Sequence, residues 1–339
     1  MTDNIYKPVN IKDKRAINGK TDINQLVPFK YPWAWKFFLQ ANNNHWTPLD
    51  VQMLKDVEDY NIRLTDAEKH VFENVLAYLT TSDILALRNI ALAVMEKMTS
   101  PELQIYQAKQ IQEEALHVWT YQHCIETIGL DQGEIYNRYR TVPSINNKIQ
   151  FSNRMLEDIL DPYLDLTIEE NLYKFLKSYF FFSCIFEGTW FYHGFTPIFA
   201  LQRLGLMKGT CEQLQYILRD ELLHIQFGIR VIKTIMEEED IKIPFNEIKS
   251  IVREAESCES DYIDYILEQP IRGYNKNDHM EQFKFIINRR MKQLGYPLLY
   301  DIKEPPIRWL DEQTNIKKDK NFFETRVTEY EVAHELVWD

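Results

Sequence analysis

Residues 114–117 read Glu114-Ala115-Leu116-His117, and residues 221–224 read Glu221-Leu222-Leu223-His224. On an α-helix, side chains three apart lie on one face, one turn from each other, so each pair can present a carboxylate and an imidazole to a single ion. One Glu-x-x-His match is weak, because the spacing arises by chance. Two in one helical chain carry weight. Ser100-Pro101, a hydroxyl cap with Pro in the first turn, opens a helix that carries Glu114 and can run to Gly129. Thr210-Cys211-Glu212-Gln213, directly after Gly209, opens another that carries Glu221. It ends near Glu237-Glu238-Glu239-Asp240, an acid cluster that reads as a solvated helix end.

Two further long helices flank these. Thr65-Asp66-Ala67-Glu68 has the form of a capping box, and Val71, Phe72, Val75, Leu76 and Leu79 follow at helical spacing. Thr167-Ile168-Glu169-Glu170 is a second box, opening a strongly apolar helix through Phe195 toward Gly205. Each contributes one carboxylate from an apolar stretch: Asp83 in the first, Glu187 among Phe181, Phe182, Phe186 and Phe191 in the second. An ionised Glu in such surroundings costs several kcal/mol unless it is paired or binds a metal. Asp83 precedes Glu114 by 31 residues and Glu187 precedes Glu221 by 34, so the order carboxylate, then Glu-x-x-His, occurs twice.

Composition agrees with helices. Only 10 of 339 residues are Gly, about 3 % against a usual roughly 7 %, too few for a chain of hairpins and bulges. A net charge of −12 excludes general affinity for phosphate backbones and disfavours anionic membranes, so no nucleic acid and no membrane partner are expected. Cys124, Cys184, Cys211 and Cys258 stand apart, with no C-x-x-C pair, as expected of thiols in a reducing compartment. The amino terminus lacks a signal-peptide core, and the greasiest run, Tyr179 to Phe186, is far shorter than a bilayer span; a cytoplasmic protein is expected. Residues 1–30 read as an arm, 31–299 as one helical domain with further helices around 245–268 and 277–294, and 300–339 as a polar, lysine-rich tail.

Two Glu-x-x-His pairs and two lone carboxylates from four helices resemble the ligand scheme of ferritin-like dimetal carboxylate bundles. The expected fold is therefore all-α, a ferritin-like helical bundle holding a dimetal site in its core. Oxygen and imidazole donors without thiolate suit iron or manganese. Tyr121, four residues beyond His117, shares its face. A phenol beside a metal pair that activates dioxygen can lose one electron to become a tyrosyl radical; the plainer reading is a core Tyr bonded to a carboxylate. Phe191 and Phe195 would present apolar rings around the same centre.

The chain resembles the small, radical-generating subunit of class I ribonucleotide reductase over roughly residues 30–339. The resemblance rests on His45-Trp46-Thr47-Pro48, Asp83, Glu114-Ala115-Leu116-His117 with Tyr121, Glu187 with Phe191 and Phe195, Arg219-Asp220-Glu221-Leu222-Leu223-His224, and the tail from Asn321 to Tyr330. It implies that Asp83, Glu114, His117, Glu187, Glu221 and His224 hold two metal ions and that Tyr121 carries the radical. Trp46 and Asp220 would begin its exit path. Tyr330 would pass it to the large catalytic subunit, on which the end of the tail, Leu336-Val337-Trp338-Asp339, would dock. It also implies a homodimer. Packing alone for Trp46 and an incidental tail position for Tyr330 are the plainer readings. Some members lack the radical tyrosine, use a manganese and iron centre, and carry Glu where this chain has Asp83. Asp83 with Tyr121 points to the tyrosyl-radical type, while Gly129-Leu130-Asp131-Gln132-Gly133-Glu134-Ile135 looks like the tyrosine-less group. Fe/Fe is the first expectation, Mn/Fe or Mn/Mn the second. The competing function is a stand-alone ligand-binding dimetal oxidase of the same superfamily; a metal-storage bundle would be shorter and would need no radical relay.

Overall fold

The computed structural model describes residues 10–20 and 24–310; the tail beyond, with Tyr330, lies outside the described residues. The α-helices of eight or more residues are, among the described residues, α1 (Pro32–Asn42), α2 (Asp66–Asn89), α3 (Pro101–Ile128), α4 (Gln132–Thr141), α5 (Pro143–Leu156), α6 (Glu169–Phe180), α7 (Thr196–Arg203), α8 (Lys208–Glu238), α9 (Phe245–Ile266) and α10 (Lys276–Leu294). Among the described residues there is no strand, only an isolated bridge between Ile271 and Tyr274.

The capping box at Thr65 forms in both directions: Glu68 N donates to Thr65 Oγ1, and Thr65 N donates to Glu68 Oε2. Two other expected starts differ. The Thr167 hydroxyl donates to Asp165 Oδ1 instead of capping, so α6 begins at Glu169 behind Ile168. Helix α8 begins at Lys208, before Thr210, because the buried Asp56 carboxylate accepts from Gly209 N, Thr210 N and the Thr210 hydroxyl. An acceptor from a distant segment thus replaces a local cap. Helix α3 ends as expected at Gly129, whose φ of 83° suits a residue without a Cβ.

The third long helix is not uniform. After α6 it widens into a π-helical segment over Phe181–Phe191, and the chain breaks again at Phe195 before α7. A wide turn leaves carbonyls displaced, and side chains take them up: Thr189 Oγ1 donates to Cys184 O, and buried Arg290 Nε donates to Gly188 O. The segment packs on α8 at Gly228, where any Cβ would lie 2.4 Å from Ser183 Oγ. Helices α2 and α3 form the other closely packed pair. Each pair therefore joins one helix with a lone carboxylate to one with Glu-x-x-His.

The aromatic run Tyr179–Phe182 is core, as expected, and the four cysteines are free. The stretch Asp66–Lys97, rather than Tyr179–Phe186, is the one long and apolar enough to cross a membrane by composition among the described residues, and it is mostly buried in the bundle. The acid cluster ending α8 is not simply solvated. Glu238 accepts from Tyr31 Oη and Ala16 N and pairs with Lys30, while Glu239 pairs with Arg15, so the cluster fastens Arg15, Ala16, Lys30 and Tyr31 to the bundle. At the other end Ile307 and Leu310 are buried, and Ile307 N donates to Gln282 on α10.

Candidate metal centre

The four long elements bring the six expected ligands together, each at most 2 % exposed: Asp83 from α2, Glu114 and His117 from α3, Glu187 from the π-helical segment, Glu221 and His224 from α8. Ligand atoms of Asp83, Glu114 and His117 lie within 4.8 Å of one another, and so do those of Glu114, Glu187 and His224. Glu114 serves both groups, with Oε2 3.4 Å from His117 Nδ1 and Oε1 3.1 Å from His224 Nδ1. Glu221 does the same, with Oε1 3.4 Å from His117 Nδ1 and Oε2 3.6 Å from His224 Nδ1. Asp83 lies on the His117 side, its Oδ2 3.9 Å from Nδ1. Two stations result, one per imidazole, with two shared carboxylates and one private carboxylate each.

The unmet bonding of these atoms tests whether metal ions fit. Both oxygens of Asp83 and of Glu114, Oε2 of Glu221, and Nδ1 of both histidines have no hydrogen-bond partner among the described residues. Buried polar atoms are normally paired, and so many facing one another call for a shared cationic partner. Without one the cluster holds protons instead. Burial opposes charge on both imidazoles, yet the carboxylates around them outweigh it and raise both well above the usual histidine range. Burial, then the charge of Glu114, pushes Asp83 and Glu187 far up, while the two imidazoles overcome burial at Glu114 and hold it at about 2. Oxygen and imidazole donors that give up protons on loading fit two hard-to-borderline divalent ions.

Around the six stand Glu113 and Gln110, which sequence reasoning missed, and Asp220, which it expected only at the start of the exit path. Each Glu-x-x-His is preceded by an acid, and the two acids are exchanged across the site. Glu113 Oε2, from α3, lies 2.9 Å from Nε2 of His224 on α8; Asp220 Oδ2, from α8, lies 3.5 Å from Nε2 of His117 on α3. The repeated acid before Glu-x-x-His was the available signal. Gln110 Nε2 donates to Glu187 Oε1 at 2.9 Å and fixes that side chain within its π-helical turn.

Trp46 and Asp220 do meet: indole Nε1 donates to Asp220 Oδ2 at 3.0 Å. Asn44 Nδ2 donates to the other oxygen. The Trp46 ring stacks between His117, at 6.5 Å between centroids, and half-buried Tyr216, at 5.3 Å. Tyr121 is fully buried, and among the described residues its hydroxyl makes no well-formed hydrogen bond, with the Asp83 carboxylate as its nearest acidic neighbour. Burial first, then the negative charges of Asp83 and Glu221, hold its proton far more tightly than in water. Phe191 and Phe195 are buried, Phe191 against Tyr78 and Phe186, Phe195 against Phe199.

The comparisons with known proteins agree with this geometry. Over 341 aligned residues the chain is 36 % identical to the ribonucleoside-diphosphate reductase subunit beta of Chlamydia pneumoniae, covering 99 % of this chain and 98 % of that one. Among solved structures, the ribonucleotide reductase R2 subunit from Clostridium botulinum superposes with a TM-score of 0.80 at 24 % identity, covering 89 % of this chain and 94 % of that one. An R2-like ligand-binding oxidase with a reconstituted Mn/Fe cofactor shares the fold more loosely, with a TM-score of 0.65 at 20 % identity over 82 % of this chain and 97 % of that one. The family model for the ribonucleotide reductase small chain matches residues 23–306, and with that span and that relative the chain belongs to the ribonucleotide reductase small-chain family.

Proposed function

We propose that this chain is the radical-generating small subunit of class I ribonucleoside-diphosphate reductase. In this reading Asp83, Glu114, His117, Glu187, Glu221 and His224 hold two metal ions, Fe/Fe in the first instance and Mn/Fe or Mn/Mn in the second. The bound pair supplies the reduction of dioxygen, which takes four electrons on the way to water and so can draw one from a neighbouring side chain. Tyr121 is that side chain. It gives up one electron and its phenol proton, for which Asp83 is the carboxylate that acts on it most strongly. Tyr121 is 0 % exposed, so the core keeps water from the radical.

The observation that carries the reading is the continuous line His117, Asp220, Trp46. It links a candidate ligand through a hydrogen-bonded carboxylate to an indole at the edge of the bundle. A stand-alone oxidase has no use for that line and would need a substrate channel instead. Tyr330, outside the described residues, would carry the radical onward, and the end of the tail would dock on the large subunit, where ribonucleotides are reduced. The chain works as a homodimer in the cytoplasm; Leu92 and Trp119, exposed on the α2 and α3 side, offer apolar area to a second copy.

The test is metal analysis with electron paramagnetic resonance on protein loaded aerobically with iron or manganese, followed by assay with a class I large subunit. A tyrosine-centred signal and nucleotide reduction are expected. Two bound metals with neither signal nor reduction would move the assignment to the oxidase.

A further inference from the structure

On the far side of Tyr78 from the candidate metal centre lies a second buried polar cluster that the radical chemistry does not use. Lys148 of α5 is 1 % exposed, and its ammonium bonds Glu259 of α9 at 2.6 Å. Glu259 also binds His279 Nε2 at 2.6 Å, and His279 Nδ1 meets Tyr274 Oη at 2.6 Å. The ammonium donors left over point at aromatic faces rather than acceptors: Nζ lies 3.8 Å from the ring centroid of Tyr78, 4.6 Å from that of Trp190 and 4.5 Å from that of Tyr262. A buried ion pair is weak evidence for stability, since apolar residues of similar volume usually serve as well. The cage therefore asks for another reason.

We infer that Lys148 is a positioning residue that confines the oxidising equivalent to Tyr121, by making Tyr78, Trp190 and Tyr262 the harder rings to oxidise. The inference rests on the radical reading above. An oxidant produced beside Asp83 has two directions open in the core, Tyr121 on α3 and Tyr78 on α2. An ammonium sits on the ring of Tyr78, and a cation there opposes removal of an electron.

The protons point the same way. Oxidation of Trp190 or Tyr78 sends one electron to complete dioxygen reduction to water at the metal pair. Among the described residues Trp190 Nε1 has no hydrogen-bond partner, the polar side chain nearest Tyr78 Oη is the non-basic Ser82 hydroxyl, and Tyr262 Oη reaches only the carbonyl of Asn74, at 3.4 Å. With no base to take the ring proton, each would remain a radical cation against a fixed cation, at a Coulombic cost that a low-dielectric core magnifies. If that state is reached, loss of a second electron to further dioxygen, with uptake of one water and release of two protons, leaves a hydroxylated ring, one oxygen atom heavier.

The test uses the full chain loaded with iron in air. Lys148→Met combined with Glu259→Gln removes both charges without stranding either, and circular dichroism checks the fold. The unsubstituted protein is expected to hold its spin on Tyr121 and to leave the Trp190 and Tyr78 peptides unmodified by mass spectrometry. The double variant is expected to show a second aromatic signal on rapid freezing and several-fold more oxygen addition at Trp190 or Tyr78; Lys148→Arg restores the parent pattern. Equal oxygen addition in the parent and a folded double variant overturns the inference. If the double variant does not fold, Tyr121→Phe with the cage intact decides it: Trp190 and Tyr78 should stay unmodified, and their ready oxidation overturns the inference. Absence of any tyrosine signal in the unsubstituted protein strikes the radical reading instead, while the peptide masses still decide the role of Lys148.

Discussion

Glu113 on α3 grips His224 on α8 at 2.9 Å through Nε2, which turns Nδ1 of that imidazole toward Glu114 and Glu221. A carboxylate behind a histidine fixes its tautomer and raises its donor strength, and loss of such a partner typically weakens metal binding about 10–100-fold. Glu113→Ala is expected to lower affinity by that factor at one of the two stations, with helix content unchanged. Competition against a chelator of known affinity measures it. Unchanged affinity at both stations would show that packing alone orients His224.

Tyr121→Phe removes one hydroxyl from a fully buried ring and, with it, a polar atom that makes no well-formed hydrogen bond among the described residues. Stability should change by no more than about 1 kcal/mol, because at most a poorly formed contact to Asp83 is lost and no new cavity of any size opens. Metal content should stay the same while the tyrosine-centred signal disappears. Persistence of that signal would place the radical on another ring.

Trp46 and Tyr330 separate making a radical from exporting it. Trp46→Phe keeps a ring between His117 and Tyr216 but takes the donor from Asp220 Oδ2. The Tyr121 signal is expected to survive, and nucleotide reduction with the large subunit to fall to background. The same split is expected of Tyr330→Phe. Retained turnover in either variant removes that residue from the path.

Why these roles could be read so far from sequence, and no further, follows from distance along the chain. Glu114 with His117 and Glu221 with His224 are fixed by helical geometry within one turn, and so were legible. Asp83 and Glu187 betrayed themselves as carboxylates in apolar stretches. The exchange of Glu113 and Asp220 between helices is a tertiary fact; nothing local says which histidine each acid faces. The capping box at Thr167 failed because Asp165 competes for the hydroxyl, and the start of α8 moved because Asp56, more than 150 residues earlier, supplies the acceptor. A π-helical segment keeps the same apolar character as an α-helix, so periodicity does not reveal Phe181–Phe191. Lys148, one of two cations in the amphipathic α5, reads as a surface lysine until α2, α9 and the π-helical segment close over it.

The pair formed by Lys148 and Glu259 also makes a prediction about acid. Burial would raise the Glu259 carboxyl, but Lys148 and His279 overcome this and hold it at about 2, against a usual 4.5. A depressed folded value means that the contribution is present in full above the unfolded value and is lost as pH falls from about 4.5 toward 2. A fall of that size corresponds to roughly 3 kcal/mol at neutral pH. Metal-free protein should be used throughout, because acid strips ligands from any bound ion. Calorimetric melting of the parent and Glu259→Gln at pH 7 should then differ by several degrees, and the gap should close steadily between pH 5 and pH 2. A gap that stays constant across that range would mean that the Gln variant loses packing rather than charge, and that the ion pair contributes nothing through ionisation.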